Sequence, residues 1–220
     1  MRSRVRTACS LAVATVLLAG CGGADGWSEP RDAPAGIGTL GAGFVHPSAP
    51  PSPEATISPR PGSWSAVHPA PGYRIVLVSA GHEAPTQTLV DAVLDWADDE
   101  DVALRTVAVD AGDYVGGITK AMSMHPDLVV TAGDDLVDPL AVITANHLDQ
   151  QFLVVGAEVA EPTHNVTAVD WSGASFRGEG LGTSSTYDAD SFTPERSAAA
   201  IRAGTAAVLN GVTGIVIWVD

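Results

Sequence analysis

The 220-residue sequence carries 11 basic and 26 acidic side chains, a formal net charge of −15, with 45% hydrophobic residues. Such an anionic balance repels nucleic acid and acidic lipid headgroups, which excludes a nucleic-acid partner. Two cysteines in a chain of this length exclude a disulfide scaffold, so stability must come from an apolar core.

Arg2, Arg4 and Arg6 precede an apolar run from Ala8 to Gly20. This is a basic region followed by an apolar segment too short for a comfortable membrane span, the pattern of an export signal. Leu18-Ala19-Gly20-Cys21 resembles a bacterial lipobox. That resemblance implies cleavage after residue 20, attachment of diacylglyceryl to the Cys21 sulfur, and a cell-membrane protein held on the extracytoplasmic face. The plainer alternative is a secretory signal with an incidental cysteine. Cys9 leaves with residues 1–20, so no thiol remains for a disulfide, a metal or catalysis. The mature chain then has 8 basic against 26 acidic residues, a net charge of −18.

Residues 21–72 are rich in Gly, Pro, Ser and Ala, with little periodicity, and include Pro47-Ser48-Ala49-Pro50-Pro51-Ser52-Pro53. That composition cannot bury enough apolar surface to offset its ordering entropy, so the segment reads as a disordered tether. The alternative is a docking segment anchored by Trp27, Phe44 and Trp64.

Residues 73–220 suit a single domain with one core. Buried strands are expected at 74–79, 102–110, 127–132, 151–156 and 165–170, with a last strand at 214–219. A helix is expected after Pro85, with Leu89, Val90, Val93, Leu94 and Trp96 on its apolar stripe. Further helices fit 114–124, 136–147 (Pro139 in its first turn) and 195–210, the last capped by Thr193-Pro194-Glu195. Strands alternating with helices predict a three-layer α/β/α domain with a mostly parallel sheet and right-handed crossovers.

Parallel strands aim all their carboxyl ends the same way, and ligands of open α/β sheets bind at that edge. The candidate ligand-binding residues are therefore Ser79, His82, Glu83, Asp110, Gly133, Asp134, Asp135, Glu158, Asp170 and Trp171. Clustered carboxylates suit sugar or ribose hydroxyls, an amine or a hard cation such as calcium. The bland alternative is that Glu83, Asp113 and Asp135 only cap the helices that follow them. Trp171 could stack on a base or sugar, or merely cover the core edge. His82 reads as a surface or capping residue, and His125 and His147 as structural.

No nucleophile has a motif behind it. Gly-x-Ser-x-Gly, the phosphate-binding Gly-x-x-x-x-Gly-Lys-Ser/Thr loop and His-Glu-x-x-His are all missing from the sequence. Lys120 is the one lysine, so the Asp134-Asp135 pair lacks the late lysine that a receiver domain needs. Neither enzymatic activity nor a cofactor is expected.

The runs Pro126-Asp127-Leu128-Val129-Val130-Thr131-Ala132-Gly133, Phe152-Leu153-Val154-Val155-Gly156 and Asn165-Val166-Thr167-Ala168-Val169 together resemble the basic membrane protein family of lipid-anchored nucleoside-binding proteins. The resemblance implies one lobe of a type I periplasmic-binding-protein fold, a nucleoside- or sugar-like ligand and an ABC permease or sensor as partner. Two departures stand out. The chain has room for one lobe where the family has two, so enclosure of a ligand would need a homodimer or a partner protein. His82-Glu83-Ala84-Pro85-Thr86 also replaces the family's Asp-x-Ser-Phe-Asn type signature, and Asp134 stands where a stacking phenylalanine is usual. The competing expectation is a degenerate lobe acting as a protein-interaction module with no small ligand.

Overall fold

The computed structural model describes Trp27, residues 30–46 and residues 48–220. The export signal and the acylation of Cys21 lie outside the described residues.

Seven strands form one sheet: β1 (Thr56–Ile57), β2 (Arg74–Ala80), β3 (Ala103–Val109), β4 (Leu128–Ala132), β5 (Phe152–Val155), β6 (Val166–Asp170) and β7 (Ile215–Trp218). Their order is β1-β7-β6-β5-β4-β2-β3, and every pairing is parallel. Among the described residues four α-helices cover it: α1 (Ala84–Asp99), α2 (Tyr114–Met122), α3 (Val137–Thr144) and α4 (Pro194–Leu209). This is an α/β fold of the kind expected, and the last strand lies inside the sheet, between β6 and β1.

The period-2 alternation of side chains divides the core. Ile75 and Leu77 of β2 point to the face covered by α1 and α4, where they meet Leu89, Val93, Trp96 and Ile201. Val76 and Val78 point to the other face and meet Ile118 of α2 and Leu140 of α3. Because both faces are covered, the central strands read as continuous apolar runs, with β4 and β5 buried at every position.

Helix boundaries follow local chemistry. Pro85 opens α1, where a missing N–H costs nothing. Thr193 caps α4 by accepting a hydrogen bond from Arg196 N at 3.2 Å, and Pro194 follows it. Asn165 is a buried pin before β6. Its Nδ2 donates to the carbonyls of Thr144, His147 and Gln150 at 2.9–3.2 Å, tying the end of α3 to the sheet.

The connection from β6 to β7 differs from the others. The three crossovers through α1, α2 and α3 share one hand, right-handed under the rule for parallel units. α4 lies on the α1 face, although β7 extends the sheet in the direction set by β5 and β6, so its crossover has the opposite hand. The physical reason is the 23-residue excursion between β6 and α4, residues 171–193, which carries the chain over the strand carboxyl ends with one short 3-10 turn, Ala189–Ser191, before the α-helix begins. The handedness rule governs helices fed directly by a strand. The expectation of right-handed crossovers throughout is corrected here.

The segment expected to be a disordered tether is ordered over its described part. The described residues between 30 and 72 are packed against the domain as a strap. Thr56 and Ile57 pair with Val216 and Ile217, making the strap the outer strand of the sheet. Phe44 and Trp64 meet edge to face with ring centroids 6.4 Å apart, and both are buried in the core on the α1/α4 side. His68 Nδ1 lies 2.8 Å from Glu100 Oε2, whose other oxygen holds Arg202 Nη1 at 2.9 Å. A few large aromatic anchors bury enough area to hold a chain that has no periodicity. The alternative docking reading named the anchors Trp27, Phe44 and Trp64, and all three are buried.

Candidate functional site

The carboxyl ends of β2 and β4 and the 171–193 excursion enclose a cavity of about 190 Å³. Its walls are Ala80, Glu83, Pro85, Thr86, Leu89, Gly133, Asp134, Asp135, Tyr187 and Phe192. The strand ends supply the carboxylates, the first turns of α1 supply Thr86 and Leu89, and the excursion supplies the two aromatic rings.

Gly133 makes the sharp exit from β4. Its φ is +114°, a conformation closed to most side chains, and a Cβ there would collide with the Ala80 carbonyl oxygen. The chain then tightens into a 3-10 turn, Asp134–Leu136, which carries Asp134 and Asp135 to the rim. Tyr114 Oη donates to Asp135 Oδ2 at 2.8 Å, and that bond to a carboxylate raises the phenol above its ordinary value. Glu83 and Asp113 stand at the N-caps of α1 and α2 without making a side-chain cap bond, so capping does not account for them.

Burial pushes the Asp134 carboxyl up to about 6, and the negative charges of Asp135, Asp170 and Glu83 add to the rise. Burial likewise pushes Asp170 up to about 6. There the hydroxyl of Ser184 and the N–H of Trp171 pull it back in part, and Glu158 adds to it. Burial, Asp134 and Glu83 together raise the Tyr187 phenol, although its side chain is exposed. Glu83, Asp134, Asp135 and Asp170 thus share one neighbourhood, and among the described residues no basic side chain lines the cavity. Such a wall attracts cations and hydroxyl donors and rejects anions. Among the described residues no group of three His, Cys, Asp or Glu is placed to hold a metal ion.

Of the ten residues read from sequence, Glu83, Gly133, Asp134 and Asp135 line the cavity. Trp171 does not, and its stacking role is corrected. Its ring is fully buried, edge to face with Phe192 at 5.0 Å between centroids, and Nε1 donates to Ser191 Oγ at 3.1 Å. Gly156 leaves room for that aromatic pair, since a Cβ there would press on both rings. Glu158 is buried and paired with Arg177, Nε to Oε2 2.7 Å, away from the cavity walls. Asp170 is buried beneath the excursion and acts on the cavity through its charge alone. Ser79 is partly buried within β2, and His82 and Asp110 are exposed outside the walls. Tyr187 and Phe192 were not expected. They belong to a polar, aperiodic stretch whose place over the strand ends follows from the β6–α4 connection and has no local signal.

No family model matches this sequence, and no curated protein matches it either. Among solved structures, the chain is similar to an ABC transporter solute-binding protein from Aeropyrum pernix K1, at 18% identity and a TM-score of 0.41. That overlap covers 46% of this chain and 29% of the other. A solute-binding protein from Conexibacter woesei DSM 14684 overlaps 45% of this chain and 35% of its own, at 15% identity and a TM-score of 0.36. A fragment described as a lipoprotein from Peptoclostridium difficile 630 overlaps 62% of this chain and 98% of its own, at 15% identity and a TM-score of 0.45. The chain thus spans about a third of the length of either solute-binding protein. These overlaps transfer neither ligand nor activity to it.

Proposed function

We propose that this chain is a membrane-anchored, extracytoplasmic solute-binding-like lipoprotein, whose acidic cavity takes a small polar solute without transforming it. The observation that carries this reading is the cavity over the β2 and β4 ends, walled by Glu83, Asp134 and Asp135 and roofed by Tyr187 and Phe192. Carboxylates accept hydrogen bonds from sugar hydroxyls or an ammonium group, and an aromatic face covers the apolar side of a sugar ring. At about 190 Å³ the cavity is smaller than the roughly 300 Å³ at which drug-sized sites begin. A sugar- or amine-sized solute therefore suits it better than a whole nucleoside. The narrower likeness to the basic membrane protein family, and an ABC permease or sensor as partner, belong to the same proposal. So does enclosure of the solute by a homodimer or a partner protein.

The test is a thermal-shift and calorimetric screen of the purified protein with sugars, nucleosides, amines and calcium. A saturable response lost in Asp134→Asn and Glu83→Gln supports the reading. Silence from every solute at millimolar concentration overturns it.

One feature favours the second reading, a protein-interaction module. A groove of about 500 Å³ runs between α3, the loop that follows β5 and the start of the excursion, where Val137, Ala141, Val159 and Leu181 are interleaved with Asp138, Glu161 and Arg177. Leu181, in the excursion that follows β6, is 55% exposed, and Val142 of α3 is 68% exposed. Recovery from membranes of a stable partner that Leu181→Asp releases and Asp134→Asn leaves bound would favour this reading.

A further inference from the structure

From where the strap begins, we infer that the domain is held on the bilayer in one orientation. The amino ends of the strands face the lipid, and the acidic cavity faces away from it. This inference rests on the lipid-anchor reading proposed above and goes beyond it.

Trp27 is buried against the sheet on the α2/α3 side. Its ring lies 4.4 Å from the Arg105 guanidinium and 5.7 Å from that of Arg74. Four residues on, Arg31 Nη2 bonds the Gly72 carbonyl at 2.5 Å and Asp127 Oδ2 at 2.6 Å. The same Asp127 oxygen accepts the backbone N–H of Arg74 at 2.7 Å. Every one of these contacts is at the amino end of the sheet. Arg74 is the first residue of β2, Asp127 immediately precedes β4, and Arg105 is the third residue of β3.

Cys21 stands six residues before Trp27. A chain of that length spans no more than about 20 Å even when fully extended. The leash that composition suggested, some fifty residues long, thus has an effective length of six. From the point of attachment, β2 runs from Arg74 to Ala80 before reaching the cavity wall, a further rise of about 20 Å in the opposite sense. With the anchor in the bilayer, the amino end is tethered within reach of the surface, and Asp134, Asp135 and Glu83 open towards the aqueous side. An anionic rim directed away from acidic headgroups also avoids like-charge repulsion.

The experiment uses the full chain, exported, processed and reconstituted in vesicles carrying nitroxide-labelled headgroups. Mass spectrometry of the mature protein first reads acylation of Cys21. Two labelling variants then mark the two ends of α2: Ser123→Cys at the amino-end face and Ala111→Cys at the carboxyl-end face, both exposed positions. A fluorophore at 123 should be quenched at least twofold more than one at 111. Inserting twenty Gly/Ser residues after Gly22, which leaves the folded part untouched, should erase that difference, and Trp27→Ala should reduce it. Equal quenching at the two sites in acylated protein overturns the orientation while the anchor stands. An unacylated mature protein overturns both.

Discussion

Ser184 Oγ donates to Asp170 Oδ2 at 2.6 Å, joining the middle of the 171–193 excursion to the last residue of β6. The bond holds the aromatic roof above the cavity, and it rests on a buried carboxyl. Folding raises that carboxyl from its ordinary value near 3.8 to about 6, chiefly through burial. Between those values the folded protein keeps a proton that the unfolded chain has released. Unfolding free energy from this group therefore falls as pH rises from about 4 to 6, and stays lower above it. Asp170→Asn keeps an acceptor for Ser184 and removes the buried charge. It should flatten the stability profile between pH 4 and 6 and leave the protein at least as stable at pH 7.5, by on the order of 1–2 kcal/mol. Urea unfolding at several pH values reads this directly, and a variant that is destabilised at pH 7.5 contradicts it.

Asn165 should behave in the opposite way. Its amide group serves three backbone carbonyls, one at the end of α3 and two in the loop that follows, and its own oxygen accepts from Thr163 Oγ1 at 2.7 Å. Asn165→Ala leaves those carbonyls buried without a donor and should cost about 3 kcal/mol. Asn165→Asp sets a negative acceptor against them and should cost more. Denaturant midpoints compared at a constant m-value would settle the ranking.

The sheet and its helices were legible because their signals are local. The β-branched run Leu128–Ala132 ends at Gly133, and Thr193-Pro194 opens α4, so period and punctuation agree. The carboxylates of the cavity were legible for a related reason, since a parallel sheet brings Glu83 and Asp134 to one edge whatever the rest of the chain does. The strap, the roof and the reversed hand of the last crossover were not. Each depends on contacts between residues far apart in sequence, such as Phe44 with Trp64, Thr56 with Val216, and Tyr187 and Phe192 over the strand ends. Sparse aromatic residues in a Gly/Pro-rich stretch have the composition of a tether and the energetics of a clasp. Trp171 illustrates the converse, since a strand-end position suggested a ligand platform while Phe192, brought by the excursion, turned it into core.

The strap makes its own prediction. Phe44 is 2% exposed and fills the core over α1 and α4. Phe44→Ala should cost about 3 kcal/mol, the usual loss for a buried aromatic ring. A chain beginning at Tyr73 also exposes the outer edge of β7 and the surface under Trp64, and it should aggregate or unfold cooperatively at a much lower temperature. If residues 30–72 were only a leash, both changes would leave the melting temperature within a degree of the parent.

The cavity itself can be tested by titration, before any solute is known. Asp134 is held near 6 by burial and by the charges of Asp135, Asp170 and Glu83. Its rise, like that of Asp170, favours the protonated folded state, so a solute that brings positive charge or hydroxyl donors must first recover the ionised carboxylate. Carbon-13 spectra of Asp-labelled protein should show two carboxyl groups titrating near pH 6, of which Asp134→Asn removes one. Glu83→Gln takes away a neighbouring negative charge and should move the Asp134 midpoint downward. A cationic or hydroxyl-rich solute should lower the same midpoint, and its affinity should climb as pH rises through 6. A midpoint near 4 in the parent protein, unmoved by Glu83→Gln, would mean that the carboxylates do not share the cavity.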